Sequence, residues 1–164
     1  MDLDVLREQL VAQLTGGQAY AGAESIVRGF PAGFAGATSG TMRHTGWKLL
    51  EHLRIAQEDI LRFTIDETYE SPAWPDGYWP PTSEPPSGEA WLASVDRLLA
   101  DLESVKSLVR DSRIDLFGPS PTAPARRFCA RFCSLPTTMP ITWVNSCSFS
   151  VHWSRSRDRS QVSC

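Results

Sequence analysis

Residues 44–63 read HTGWKLLEHLRIAQEDILRF, and this stretch decides the fold. Leu49, Leu53, Ala56, Ile60 and Phe63 follow one another by four, three, four and three positions. An α-helix turns once every ~3.6 residues, so that spacing lines the five side chains along one face. Thr45 stands just before them with a hydroxyl that can accept from the first unpaired N–H groups of a helix. A helix over residues 45–63 follows, with one apolar stripe to bury.

Working outward, Leu3, Leu6, Leu10 and Leu14 recur at helical spacing, with Arg7, Glu8 and Gln9 between them, until Gly16-Gly17 interrupts. A weaker helical piece follows at 18–28, and then FPAGFAGATSG (30–40) reads as loop. On the other side, TIDETYESPAWPDGYWPPTSEPPSG (64–88) holds six prolines and cannot be a helix. A loop is expected over 64–86, with Trp74, Tyr78 and Trp79 folded back onto the helices, because that much aromatic surface is costly in water. From residue 89 to 110, Trp91, Val95, Leu98, Leu102, Val105 and Val109 repeat the helical step. Three amphipathic helices without an alternating strand pattern predict an all-α fold, an up-down antiparallel four-helix bundle. Three one-sided stripes call for a fourth helix to close the core.

The place of that helix is taken by something else. Two regions are therefore expected, a helical body at 1–117 and an aberrant basic tail at 118–164, without regular structure. The tail carries six Arg, one Asp and no Lys or Glu, a charge of +5; the ten basic and eighteen acidic residues before it sum to −8. All four cysteines (Cys129, Cys133, Cys147, Cys164) lie in the tail, which has no apolar period. Reading it one base out of phase changes the picture. If each codon joins the last base of one codon to the first two of the next, Met139-Pro140 forces Ala and Trp143-Val144 forces Gly. The cysteine codons at 129 and 133 then end Leu codons, and no stop is forced between Pro121 and Trp153. The permitted sequence includes L-L-R-E-x-L-L-x-A-D-H-N-A-Y-H-L-G, an amphipathic helix. The tail reads as frame-shifted coding sequence.

Two long motifs now carry a resemblance. WKLLEHLRIAQEDIL (47–61) and SPAWPDGYWP (71–80) resemble the DinB-like superfamily of four-helix bundles, over residues 3–117. The last helix of that family carries the D-H-N-A-Y-H-L-G that the shifted frame permits. The resemblance implies a divalent metal (zinc, nickel or iron) held by three His, the first of which matches His52. The other two fall across Thr138 and Thr142 and are absent from this chain. Some members are similar in fold to thiol transferases, which implies a metal-dependent, transferase-like activity on a small-molecule thiol. It identifies no substrate for this chain.

Each of these residues has a plainer reading. His52 borders the apolar stripe, and on spacing alone a histidine there is a packed or hydrogen-bonded core residue. Asp59, seven positions on, shares its face and reads either as a supporting hydrogen-bond partner or as a solvated helix charge. His44 reads as a capping or surface residue. Cys129, Cys133, Cys147 and His152 fit no strong zinc spacing, and the SRSRDRS run reads as out-of-frame sequence rather than an RNA-binding arm. The acidic, amphipathic start MDLDVLREQL has no signal-peptide core, and no apolar run reaches membrane-spanning length. A cytoplasmic protein is expected, without a membrane partner. A non-catalytic bundle that associates through its helix faces, as a homodimer, is the alternative.

Overall fold

A computed structural model describes residues 2–16, 21–38 and 43–118. The regular elements among the described residues are all helices, without a strand: α1 (Leu3–Thr15), α2 (Ala23–Gly29), α3 (Gly46–Ile65) and α4 (Gly88–Arg110), with short 3-10 turns at Ala32–Phe34 and Asp76–Tyr78. The helix starts follow capping chemistry. The Asp2 carboxylate accepts from Asp4 N, the Thr45 hydroxyl from Lys48 N, and the Ser87 hydroxyl from Ala90 N. Gly16 ends α1 at a φ of 74°, a left-handed conformation suited to glycine. Residues 119–164, with Cys129, Cys133, Cys147, His152 and the expected tail region, lie outside the described residues.

The helix α4 is the centre of the molecule, touched by α1, α2 and α3. Its stripe of Trp91, Val95, Leu98, Leu102, Val105 and Val109 is buried along its whole length. The first half packs into the main core with Val27, Phe30, Ala35, Trp47 and Leu50. Phe30 and Trp47 lie tilted against Trp91, with ring centroids 5.1 Å and 6.5 Å away. At the other end, Leu6 and Leu10 of α1 meet Leu108, Ile114 and Leu116 in a second, smaller cluster. The Arg7 guanidinium is buried there and donates to the backbone carbonyls of Val109, at 2.7 Å, and Ile114. The Val109 carbonyl belongs to the last turn of α4, where carbonyls lack an intrahelical partner, and the Ile114 carbonyl to the turn that follows.

An antiparallel arrangement was expected, but α3 and α4 run in the same direction. Trp47 lies against Trp91 at their starts, and further along Gln57 donates to the Leu98 carbonyl at 2.6 Å. Two successive helices can be parallel only if the chain returns along their length. The 20 residues of α3 span about 30 Å, and the segment 66–87 makes that return. It runs back over α3 through turns and the short 3-10 helix at Asp76–Tyr78. The Tyr78 phenol meets Asp59, the Tyr78 carbonyl meets His52, the Thr82 hydroxyl accepts from the Trp47 indole, and the Ser83 carbonyl accepts from Thr45.

The face of α3 turned to α4 is also not the stripe picked out by its leucines. Trp47, Leu50 and Gln57 make that contact, and the buried Leu61 and Thr64 continue the row. At ~100° per residue, the predicted stripe Leu49–Phe63 lies about a quarter turn away. Within it, Leu49 is buried, while Leu53, Ala56, Ile60 and Phe63 are half-buried. The α4 stripe is buried throughout, because α1 and α2 cover what α3 leaves.

Candidate functional site

His52 sits in the middle of α3, on the edge of the half-buried stripe that lies away from α4. Its Nδ1 is 2.9 Å from the Tyr78 carbonyl oxygen. A carbonyl only accepts, so Nδ1 donates. On its flank the ring stacks on the Trp79 indole, with centroids 4.1 Å apart and planes 6° from parallel. The opposite partner in the stack is His44, 4.4 Å from the same indole at 22°. Trp79 is thus held by an imidazole from α3 and one from the turn before it. His44 is half-buried, and its titration lies below the ordinary imidazole range, first because burial disfavours the charged ring. Lys48, Arg43 and His52 add to the shift by repulsion. His44 therefore caps nothing; the cap is Thr45, and His44 belongs to the return segment's docking site.

Asp59 is 1 % exposed, which ends its reading as a solvated helix charge. One carboxylate oxygen, Oδ2, accepts from the Tyr78 phenol at 2.8 Å. Its link to His52 is accordingly indirect: the phenol of Tyr78 holds Asp59, and the carbonyl of the same residue holds His52. Nearby, the Arg62 guanidinium lies 4.4 Å over the Tyr69 ring. Burial and then the charge of Asp59 push the Tyr69 phenol above its usual range. Of the three aromatics expected to fold back, Tyr78 is buried and Trp79 half-buried in the stack, but Trp74 is 76 % exposed. Its ring meets Tyr78 edge-on, at 5.4 Å.

Next along α3 is an ion network. Arg54 makes a two-point contact with Glu51, at 2.9 Å on both oxygens, and a 2.8 Å contact with Glu58. The Arg54 and Glu51 side chains are only 14 % and 10 % exposed. Glu51 more than any other group holds the guanidinium charged, against the cost of its burial. This cluster is structural in kind: one guanidinium bridges two carboxylates of its own helix.

As possible metal ligands, the described residues include two imidazoles, His44 and His52, on either side of Trp79. No group of three His, Cys, Asp or Glu side chains among them could hold a metal ion. The described part of the chain does not fit a three-imidazole site. Periodicity missed Tyr78, Trp79 and His44 as neighbours of His52, since the return segment has no period; the aromatic content of residues 74–79 was the available signal. No family model, no curated protein and no solved structure matches the chain. Among the described residues, no helix is long and apolar enough to cross a membrane.

Proposed function

We propose that this chain is a DinB-like bundle protein derived from a divalent-metal-binding form, with His52 as the remaining member of a three-histidine set. In the intact form, the bundle closes with a fourth helix over the Leu49–Phe63 stripe, and that helix carries the other two imidazoles. Bound there, zinc, nickel or iron would supply a Lewis acid suited to transferase-like chemistry on a small-molecule thiol. The observation that carries this reading is the state of His52. Its Nδ1–H is engaged by a backbone carbonyl, the usual support of a metal-binding imidazole, so Nε2 carries the lone pair. It stands beside an apolar stripe in which Leu53 packs against the core around α4 and Ala56, Ile60 and Phe63 are half-buried.

The chain with its present tail is deficient in this function. Isothermal titration with zinc and nickel tests the reading on three proteins: this chain, a version restored to the shifted frame, and the restored version with His52→Ala. Tight one-to-one binding is expected only in the restored protein, and its loss on His52→Ala. Tight stoichiometric binding through His52 in the unrestored chain would overturn the proposal.

A second reading, association through helix faces, is favoured by the apolar side chains left outside: Leu3 and Val5 on α1, Ile65 on α3 and Leu92 on α4 are each more than 40 % exposed. Sedimentation velocity across a concentration series checks it. A dimer that dissociates on dilution is expected under this reading, and a monomer at all concentrations rules it out.

A further inference from the structure

We infer that Tyr78 is a positioning residue for His52: it fixes the imidazole in the Nδ1-protonated tautomer and turns Nε2 into the acceptor nitrogen. The inference deepens the proposed metal-site reading, and it stands on geometry within this chain alone.

Three contacts come from two adjacent residues of the return segment, Tyr78 and Trp79. The Tyr78 carbonyl takes the Nδ1–H of His52 at 2.9 Å. The Tyr78 phenol donates to Oδ2 of the buried Asp59 at 2.8 Å. The next residue, Trp79, lies flat on the His52 ring. Asp59 and His52 are seven positions apart on α3, two turns along one face, so Tyr78 is clamped at both ends against a single rigid helix. The backbone carbonyl is thereby held within reach of Nδ1, and the indole packs flat against the ring. A neutral imidazole has one protonated nitrogen and one with a free pair, and the hydrogen bond made by the first decides the second. In water the free side chain prefers the proton on Nε2. The clamp reverses that preference. A buried carboxylate is costly unless hydrogen-bonded, and anchoring the phenol is what Asp59 does in this arrangement. Other residues of the segment, Thr82 and Ser83, are tied to Trp47 and Thr45 and can hold the segment on α3 without reaching His52.

The test is long-range proton–nitrogen correlation NMR on the full 164-residue chain, uniformly 15N-labelled, at a pH above the ordinary imidazole range of about 6.5. The His52 signals are assigned by their loss in His52→Gln. In the unaltered chain Nε2 is expected to show the shift of an unprotonated ring nitrogen and Nδ1 that of a protonated one. Tyr78→Phe keeps the ring and the carbonyl but loses the anchor on Asp59, and the tautomer ratio should move toward Nε2–H by roughly tenfold, the weight of one ordinary hydrogen bond. Asp59→Asn retains an acceptor oxygen for the phenol and should keep the native tautomer. Far-UV circular dichroism of each variant separates a tautomer change from loss of fold. An Nε2–H tautomer at His52 in the unaltered chain overturns the inference, and this result needs no variant to fold. So does a folded Tyr78→Phe variant with the native ratio. Because no metal is added, the outcome is independent of the titrations above: a chain whose tautomer is as expected but whose restored form ignores zinc would sink the metal reading and leave the role of Tyr78 intact.

Discussion

Two helices of similar length and similar apolar pattern meet different fates here. In α4, all six residues of the stripe are buried; in α3, only Leu49 of the five is, and the rest are half-buried. Composition does not separate them. Position does: α4 has α1, α2 and α3 around it, whereas α3 has α4 on one side and the proline-rich return segment on another. A stripe that a sequence advertises is therefore an offer of burial, and how much of it is taken up depends on how many elements arrive to cover it.

The comparison is broken most severely at Trp91. Replacing it with Ala removes the ring that Phe30 and Trp47 pack against. A loss of about 3–5 kcal/mol is expected in chemical denaturation. The same truncation at Leu53, half-buried on the α3 stripe, should cost less than half as much; equal losses would mean that the two stripes are equally covered. An intermediate effect is expected at Arg7. Arg7→Met keeps the length and the apolar stem but strands the carbonyls of Val109 and Ile114, for about 1–3 kcal/mol. A neutral result would show that water reaches those carbonyls and that the α1–α4 contact is apolar only.

The smallest effect lies at the end of α4. Arg113 grips both oxygens of Asp111, at 2.9 Å and 2.7 Å, and this hydrogen bonding holds the Asp111 carboxyl down at about 2, from an ordinary 3.8. A carboxyl lowered in the folded state stabilises it above the unfolded value and ceases to do so as pH falls from about 4 toward 2. Thermal melts over that range should show Asp111→Asn converging on the parent protein at the acid end, with a gap at neutral pH small enough to match a solvent-exposed pair. A gap that widens toward pH 2 would contradict the assignment.

How much of this was legible beforehand follows the same division. The extents of α1, α3 and α4 could be read because leucines, valines and tryptophans repeat at helical spacing, and Thr45 marked a boundary. The α4-facing row of α3 could not, since Gln57 and Thr64 interrupt it with polar side chains that are satisfied by backbone carbonyls, Leu98 and Ile60 respectively. Apolar counting therefore chose the adjacent stripe. The parallel course of α3 and α4 was hidden in the length of the 66–87 segment, which reads as a loop without direction. His52 and Asp59 were rightly grouped on one face, yet the residue joining them, Tyr78, approaches from a segment whose conformation obeys prolines rather than a period. Spacing speaks within a helix and falls silent between elements.

The buried Arg7 also sets a timetable. Its partners lie 102 and 107 residues further along the chain. At a synthesis rate of about 5–20 residues per second, α1 leaves the ribosome roughly 5–20 s before the carbonyls it caps exist. The return segment, by contrast, finds His52 and Asp59 only 26 and 19 residues behind it. The first helix made is the last to dock, and for that interval its leucines and its guanidinium are open to any chaperone that binds nascent amphipathic helices.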